Sequence, residues 1–310
     1  MENVRIMDAH SGKWIIGIYR SLESIVNRFS KIDFAIIFTL ILLFFYTESS
    51  LKIDLIIKAT AVVGLFFFRI TKTFWFWLFV SVILIIGHSL IWYSIDNHKY
   101  LITWWTLALS LSFLINEYEW NIEFNGRILI GLCFLFATFW KVITPEYMDG
   151  SFFHYLLIGG DSRFIDFSVI LTGVNPEVIE MNRNLMNEIK TLPWKEIEYS
   201  LESTHRSVIM AHFLTWWTII IEGVIAISFL VKNGGYLYRY RDYILGVFIL
   251  STYTVASVIG FAWLIIAMGI SQVDEKFSIQ KKLWYLFLFI IMAFFSSSLH
   301  DSVNYLIEVV

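Results

Sequence analysis

Lysine, histidine and glutamate side chains that interrupt long apolar runs are the residues of this sequence able to do acid–base chemistry. Lys141 closes an apolar run in FATFWKVITPEYMDG. Apolar surroundings favour a neutral amine, which can act as a base, and the same position also suits an interfacial anchor beside Trp140. His98 stands in IDNHKYLITWW next to Asn97 and Asp96, a set able to orient or accept protons or simply to form a polar turn. Glu222 lies inside FLTWWTIIIEGVIAISFL, where a carboxyl group must be protonated, paired or engaged in proton handling. His212 precedes Glu222 on the same run by roughly 15 Å of helix, so the two cannot act on one atom. His88 in LIIGHSLIW suits a neutral imidazole bonded to a backbone carbonyl, and Lys58 can extend its stem toward water. The single cysteine, Cys133, rules out an intramolecular disulfide or a cysteine pair and suits a packing role. The seven histidines are too scattered to suggest a metal centre, and none is expected. No GxSxG, Walker or HExxH sequence supports a serine hydrolase, nucleotide-driven or zinc-protease chemistry.

The elements that must position these groups follow from composition. Of 310 residues, 58% are hydrophobic and only 16% charged, and the mean hydropathy is +0.68, more apolar surface than a water-soluble fold can hide. A net charge of −3 gives no footprint for nucleic acid. The expected fold is all-α, a polytopic transmembrane bundle of about eight spans, near 33–50, 54–70, 73–95, 100–116, 126–143, 207–231, 243–270 and 282–299. The runs lack the alternation of a membrane barrel. Residues 1–32 suit an interfacial amphipathic helix with Trp14, Ile15, Ile18 and Leu22 on one face, in preference to a signal peptide. Spans one to five then fill 33–143, an extramembrane helical segment fills 144–205, and spans six to eight fill 206–310. All three prolines, Pro145, Pro176 and Pro193, fall in the middle segment, so unbroken spans are expected. Placing the N-terminus in the cytoplasm leaves eleven Lys and Arg residues on the inner side and five, Lys52, Lys99, Lys276, Lys281 and Lys282, in short outer loops. His98, Lys141 and the 144–205 segment then share the outer face.

Three segments, read in order, resemble one family. SIDNHKYLITWWTLALSLSF, GLCFLFATFWKVITPEYMDGSFF and LTWWTIIIEGVIAISFL are similar to motifs of the vitamin K-dependent gamma-glutamyl carboxylases and their bacterial relatives, the HTTM-domain membrane proteins. The resemblance covers much of 73–231. It implies that Lys141 deprotonates a reduced quinone of the vitamin K hydroquinone type, that His98 and Asn97 belong to the carboxylation site, and that Glu222 is the acidic position of a later helix. In that chemistry the ionised hydroquinone reacts with oxygen to give a strong base, which removes a proton from a glutamate side chain before carbon dioxide is captured. The sequence departs from the pattern in FILSTYTVASVIGFAW, which carries hydroxyls where the family often has a histidine, and in lacking the large luminal domain expected after the last span.

Three functions are compatible with these residues. The first is a quinone-dependent enzyme of the bacterial inner membrane that modifies a peptide or small molecule at the outer face. The second is a non-catalytic membrane subunit that binds a peptide or lipid partner, in maturation or immunity of a secreted toxin. The third is a proton-coupled transporter using Glu222 and His88, disfavoured by the absence of repeats and broken helices.

Overall fold

A reciprocal cap starts the first described helix. Ser30 Oγ accepts the Asp33 N–H at 3.1 Å, and an Asp33 carboxylate oxygen accepts the Ser30 N–H at 2.9 Å, which satisfies two amide donors left over at a helix start. Helix α1 runs from there over Lys31–Phe45. The structure, a computed structural model, describes residues 23–24, 26–45, 51–93, 95, 97–160, 165–191, 200–231, 235–253, 258–274 and 278–294. Residues 1–22 and 25 of the expected interfacial helix at 1–32 fall outside these residues, as does the piece around Pro193.

After α1 come α2 (Leu51–Phe66), a 3₁₀ turn (Phe68–Lys72), α3 (Phe74–Leu90), α4 (Asn97–Ser112) and α5 (Tyr118–Ile143). Then follow α6 (Pro145–Met148), α7 (Ser151–Tyr155), a π turn (Leu156–Gly160), α8 (Ile165–Thr172), α9 (Pro176–Thr191), α10 (His205–Leu230), α11 (Tyr236–Tyr253), α12 (Ile259–Ser271) and α13 (Ser278–Phe294). The described residues contain helices and no strand. Two helices, α5 and α10, are long and apolar enough to cross a membrane; α3 and α12 are shorter apolar helices. Several helix hydroxyls bond back to the carbonyl four residues earlier, as Thr39, Ser81, Thr138 and Thr215 do, which satisfies them inside apolar surroundings.

The chain divides into two compact units, with cuts inside α5 and at the start of α12: Met1–Leu129 with Gly260–Phe294, and a second whose described part lies within Ile130–Ile259. This division differs from one drawn at 143/144 and 205/206. In the first unit the buried indoles find partners: Trp105 donates to Thr39 Oγ1 at 2.8 Å, Trp77 to the Thr71 carbonyl at 2.6 Å and Trp263 to the Phe289 carbonyl at 3.3 Å. Phe38 and Phe289 stack with ring centres 4.1 Å apart. A methyl group on Gly126 would stand 2.4 Å from Ser271 Oγ and 2.8 Å from the Met268 carbonyl, so only glycine lets α5 and α12 approach this closely.

Seven of the eight expected runs coincide with one helix each; the seventh does not. Over 243–270 the chain forms two helices, α11 ending at Tyr253 and α12 beginning at Ile259. Unbroken spans therefore do not describe this part of the chain. One consequence is direct: Lys31 Nζ lies 3.1 Å from the Val273 carbonyl and Lys282 Nζ 2.9 Å from the Phe29 carbonyl. The α12–α13 turn thus sits at the same end of its unit as the α1 start, together with the Lys72–Asp33 and Lys31–Glu123 ion pairs at 2.6 and 2.8 Å. A single long seventh span would have put that turn at the opposite end.

Candidate functional site

In the second unit α5 and α10 run antiparallel. Gly131 meets Leu230, Thr138 meets Gly223, and Lys141 meets Glu222, numbers rising on one helix as they fall on the other. At the last of these contacts Lys141 Nζ lies 2.5 Å from both Glu222 carboxylate oxygens. The pair is largely withdrawn from the surface, with the lysine side chain 15% and the glutamate 9% exposed.

Sequence dictates what surrounds the pair. Helix α5 stops two residues beyond Lys141 because Pro145 cannot continue it; instead Pro145 takes the first position of α6, where its missing N–H costs nothing. Helix α10 extends from Glu222 back to His205, roughly 25 Å at 1.5 Å per residue. That length packs on the segment after α5. Phe153, Leu157 and Ala211 form a buried cluster, joined by Tyr147, Phe152, Leu156, Met210 and Leu214. Gly150 adopts φ +81°, and a methyl group there would stand 2.9 Å from His212 Nδ1. His154 Nε2 is 3.1 Å from Ser207 Oγ, and Ser207 closes a capping box with Thr204 at the start of α10. Asn182 of α9 ties the cover down, donating to the Ile158 and Glu202 carbonyls at 2.9 and 2.8 Å.

Tyr147 is the residue that sequence reasoning passed over. Its ring centre lies 5.8 Å from Lys141 Nζ, within cation–π reach, and stacks on Phe152 at 4.2 Å with Phe153 edge-on. Burial, and then the negative charge of Glu222, push the Tyr147 phenol up to about 12, so it stays protonated at neutral pH. The available signal was its place six residues past Lys141, across the proline that folds the chain back. Lys141 was expected at the outer end of its span, with the following segment covering that face; its side chain is largely buried, while Phe136, Phe139, Trp140 and Ile143 of its own helix are exposed on an apolar exterior.

The remaining candidates are spread over the chain. Asn97 and His98 open α4 in the first unit, whereas Lys141 and Glu222 belong to the second; Asp96 and the side chains of Asn97 and His98 lie outside the described residues. His88 is buried, but its Nδ1 meets the Thr103 hydroxyl at 3.0 Å, where a backbone carbonyl was expected. Lys58 pairs with Asp54 one turn earlier at 2.6 Å. Cys133 is a free, half-buried thiol. Arg241 is buried in α11 with its guanidinium 4.1 Å from the Tyr238 ring centre. No three His, Cys, Asp or Glu side chains among the described residues converge as metal ligands.

Compared with protein-family models, with curated proteins and with solved structures, the chain finds no match in any of the three.

Proposed function

We propose that this chain is an integral membrane protein and that its Lys141–Glu222 pair serves a quinone-dependent enzyme of the HTTM and vitamin K-dependent carboxylase kind, modifying a peptide or small molecule at the outer face of a bacterial inner membrane. The observation that carries this reading is the pair itself. Two residues that the family resemblance singled out, distant in sequence, meet in one sheltered contact beside an aromatic cluster. The membrane setting is supported by α5 and α10, whose apolar stretches are only 28% and 44% buried; a core helix of a water-soluble protein is covered around most of its circumference.

Nine crossings, α1 to α5 and α10 to α13, fit the helices better than eight. With the N-terminus cytoplasmic, Lys276, Lys281 and Lys282 then join the inner side, and the sequence-based count of Lys and Arg outside the 144–205 segment shifts from eleven against five in short outer loops to fourteen against two.

A reduced quinone suits the residues present. Its ring is compatible with the Tyr147 and Phe152 faces, its polar oxygen with a lysine–glutamate pair, and its lipophilic body with the apolar exterior of α5. When bound, it supplies a hydroxyl that can lose a proton, and reducing electrons. The protein's own part is to hold that oxygen against Lys141 and Glu222, to take up the proton, and to keep water away through the α6–α7 cover. The test is modification of the native substrate by Lys141→Ala and His98→Ala proteins purified in mild detergent. Each should fall about a hundredfold or more, the usual weight of an acid–base group. Full activity in both would end this reading, and stable co-purification of a peptide without turnover would favour a binding subunit.

A further inference from the structure

The geometry points to a binding site for the phosphate of an anionic lipid headgroup at the end of the first unit where α1, α5 and α13 begin, with Lys282 as its buried cation and Lys72 at its mouth. The inference rests on the membrane setting proposed above and is independent of the chemistry of the Lys141–Glu222 pair.

Three ammonium groups meet two carboxylates here. Lys72 Nζ pairs with Asp33 Oδ1 at 2.6 Å while Asp33 Oδ2 accepts the Ser30 N–H, so both oxygens of that carboxylate are engaged. Lys31 Nζ pairs with Glu123 at 2.8 Å. Among the described residues Lys282 Nζ bonds only to the Phe29 carbonyl, at 2.9 Å, and pairs with no carboxylate. Lys282 is nevertheless only 9% exposed. Its four-carbon stem would ordinarily carry the charge out to water, and an ammonium withdrawn from water without an anion is costly. Two of its three N–H donors remain for a ligand. Glu117, Glu119 and Asp274 at this end are exposed, where solvent and salt screen their charge.

The helices add to the positive excess. The starts of α1, α5 and α13 gather at this end, and each helix start carries a partial positive charge that favours an anion. Lysines in the opening turns of a helix oppose that field, yet α13 has Lys281 and Lys282 there. An anion bound beside Lys282 stabilises both the ammonium and the helix start. The surroundings decide where its phosphate comes from. Trp75 and Trp120, in the first turns of α3 and α5, are 74% and 54% exposed, and Phe29, which holds Lys282 through its carbonyl, is itself exposed. Exposed indoles stand at headgroup depth in a bilayer, so a phosphate that carries acyl chains fits this rim and a free phosphate ion does not. Lys72, with a side chain 40% exposed, faces the headgroup layer. Basic pockets between membrane helices on the cytoplasmic side take anionic headgroups by the same combination of charge and depth.

The test compares phosphatidylglycerol with phosphatidylcholine of the same acyl chains, exchanged onto the full chain in an uncharged detergent and counted by native mass spectrometry. The wild type should retain phosphatidylglycerol about fivefold or more over phosphatidylcholine, the weight of one lysine facing an anionic headgroup. Lys282→Gln should bring that preference below about twofold, and Lys282→Arg, which keeps the charge, should preserve it. Equal retention of the two lipids by the wild type, or an unchanged preference in Lys282→Gln, would overturn the inference and leave the membrane setting intact. A chain that stays soluble without detergent and retains neither lipid would overturn both. Displacement of phosphatidylglycerol by millimolar inorganic phosphate would reject the lipid in favour of a free anion. If Lys282→Gln fails to fold, as judged by gel filtration, hydrogen exchange of the wild type decides. Slower exchange of 26–34 and 278–284 in phosphatidylglycerol nanodiscs than in phosphatidylcholine nanodiscs supports the site, and equal exchange rejects it.

Discussion

The Lys141–Glu222 contact is costly to break from either side. Taking one partner from a buried ion pair strands the other charge in low dielectric, a loss of about 3–5 kcal/mol, whereas replacing both with apolar side chains of similar size is often neutral or better. Lys141→Met should therefore lower the thermal midpoint in detergent, and Lys141→Met with Glu222→Leu should recover most of that loss. A double variant as unstable as the single one would show that the pair does not bear on stability. His154 provides a second handle, outside the proposed spans. Burial, and then the charge of nearby His212, hold its pKa below the ordinary 6.5. A lowered folded-state value means that the neutral imidazole carries the stabilisation. It is fully present above about pH 6.5 and is lost as pH falls through the folded value. Hydrogen exchange of 147–157 should rise as pH drops below 6.5 after correction for intrinsic rates, and His154→Gln should remove that dependence.

At the scale of the elements, the cover over the pair depends on a turn that only glycine makes cheaply. Gly150 sits at φ +81°, and its hydrogen faces His212 where a methyl group would stand at 2.9 Å. Gly150→Ala meets both a strained backbone and a clash, so it should destabilise by about 1 kcal/mol or more, read as a lower thermal midpoint. Lys141 should also become more reactive toward a lipophilic acylating reagent as α6 and α7 loosen. Much of this arrangement was legible in sequence. The apolar runs located α1 to α5, α10 and α13, and the amphipathic stretch EVIEMNRNLMNEIK forms α9, with Ile179, Asn182 and Met186 buried on one face. Lys141 and Glu222 stood out because charges are rare in apolar helices. That they touch was not legible, since the offset of α10 against α5 is set by small residues, Gly131 against Leu230 and Gly223 against Thr138, whose register has no signature in either helix alone. The division of 243–270 into two helices was missed because proline was taken as the breaker, and that stretch contains none.

Over the whole chain, on the proposed membrane reading, that split decides how many crossings there are, and the first unit alone carries a test. Lys31 reaches Glu123 and the Val273 carbonyl, and Lys282 reaches the Phe29 carbonyl, so the starts of α1, α5 and α13 and the end of α12 lie at one end of the unit. The turn after α3, with Trp92 exposed, follows one further helix length away. An eight-span path requires residues 272–281 on the side of Trp92; a nine-span path requires them on the side of the α4–α5 turn. On the proposed topology only the second moves Lys276, Lys281 and Lys282 to the face that holds most of the other short-loop lysines and arginines, as cytoplasmic loops favour. In a Cys133→Ser background, single cysteines replacing Asn116, Gln280 and Trp92, all exposed or in turns, should divide two to one. In sealed, oriented membranes a membrane-impermeant maleimide added outside should label Trp92→Cys alone. Asn116→Cys and Gln280→Cys should react only after permeabilisation. Labelling of Gln280→Cys alongside Trp92→Cys would restore the single long seventh span, and would then have to explain how Lys31 and Val273 come within hydrogen-bonding distance.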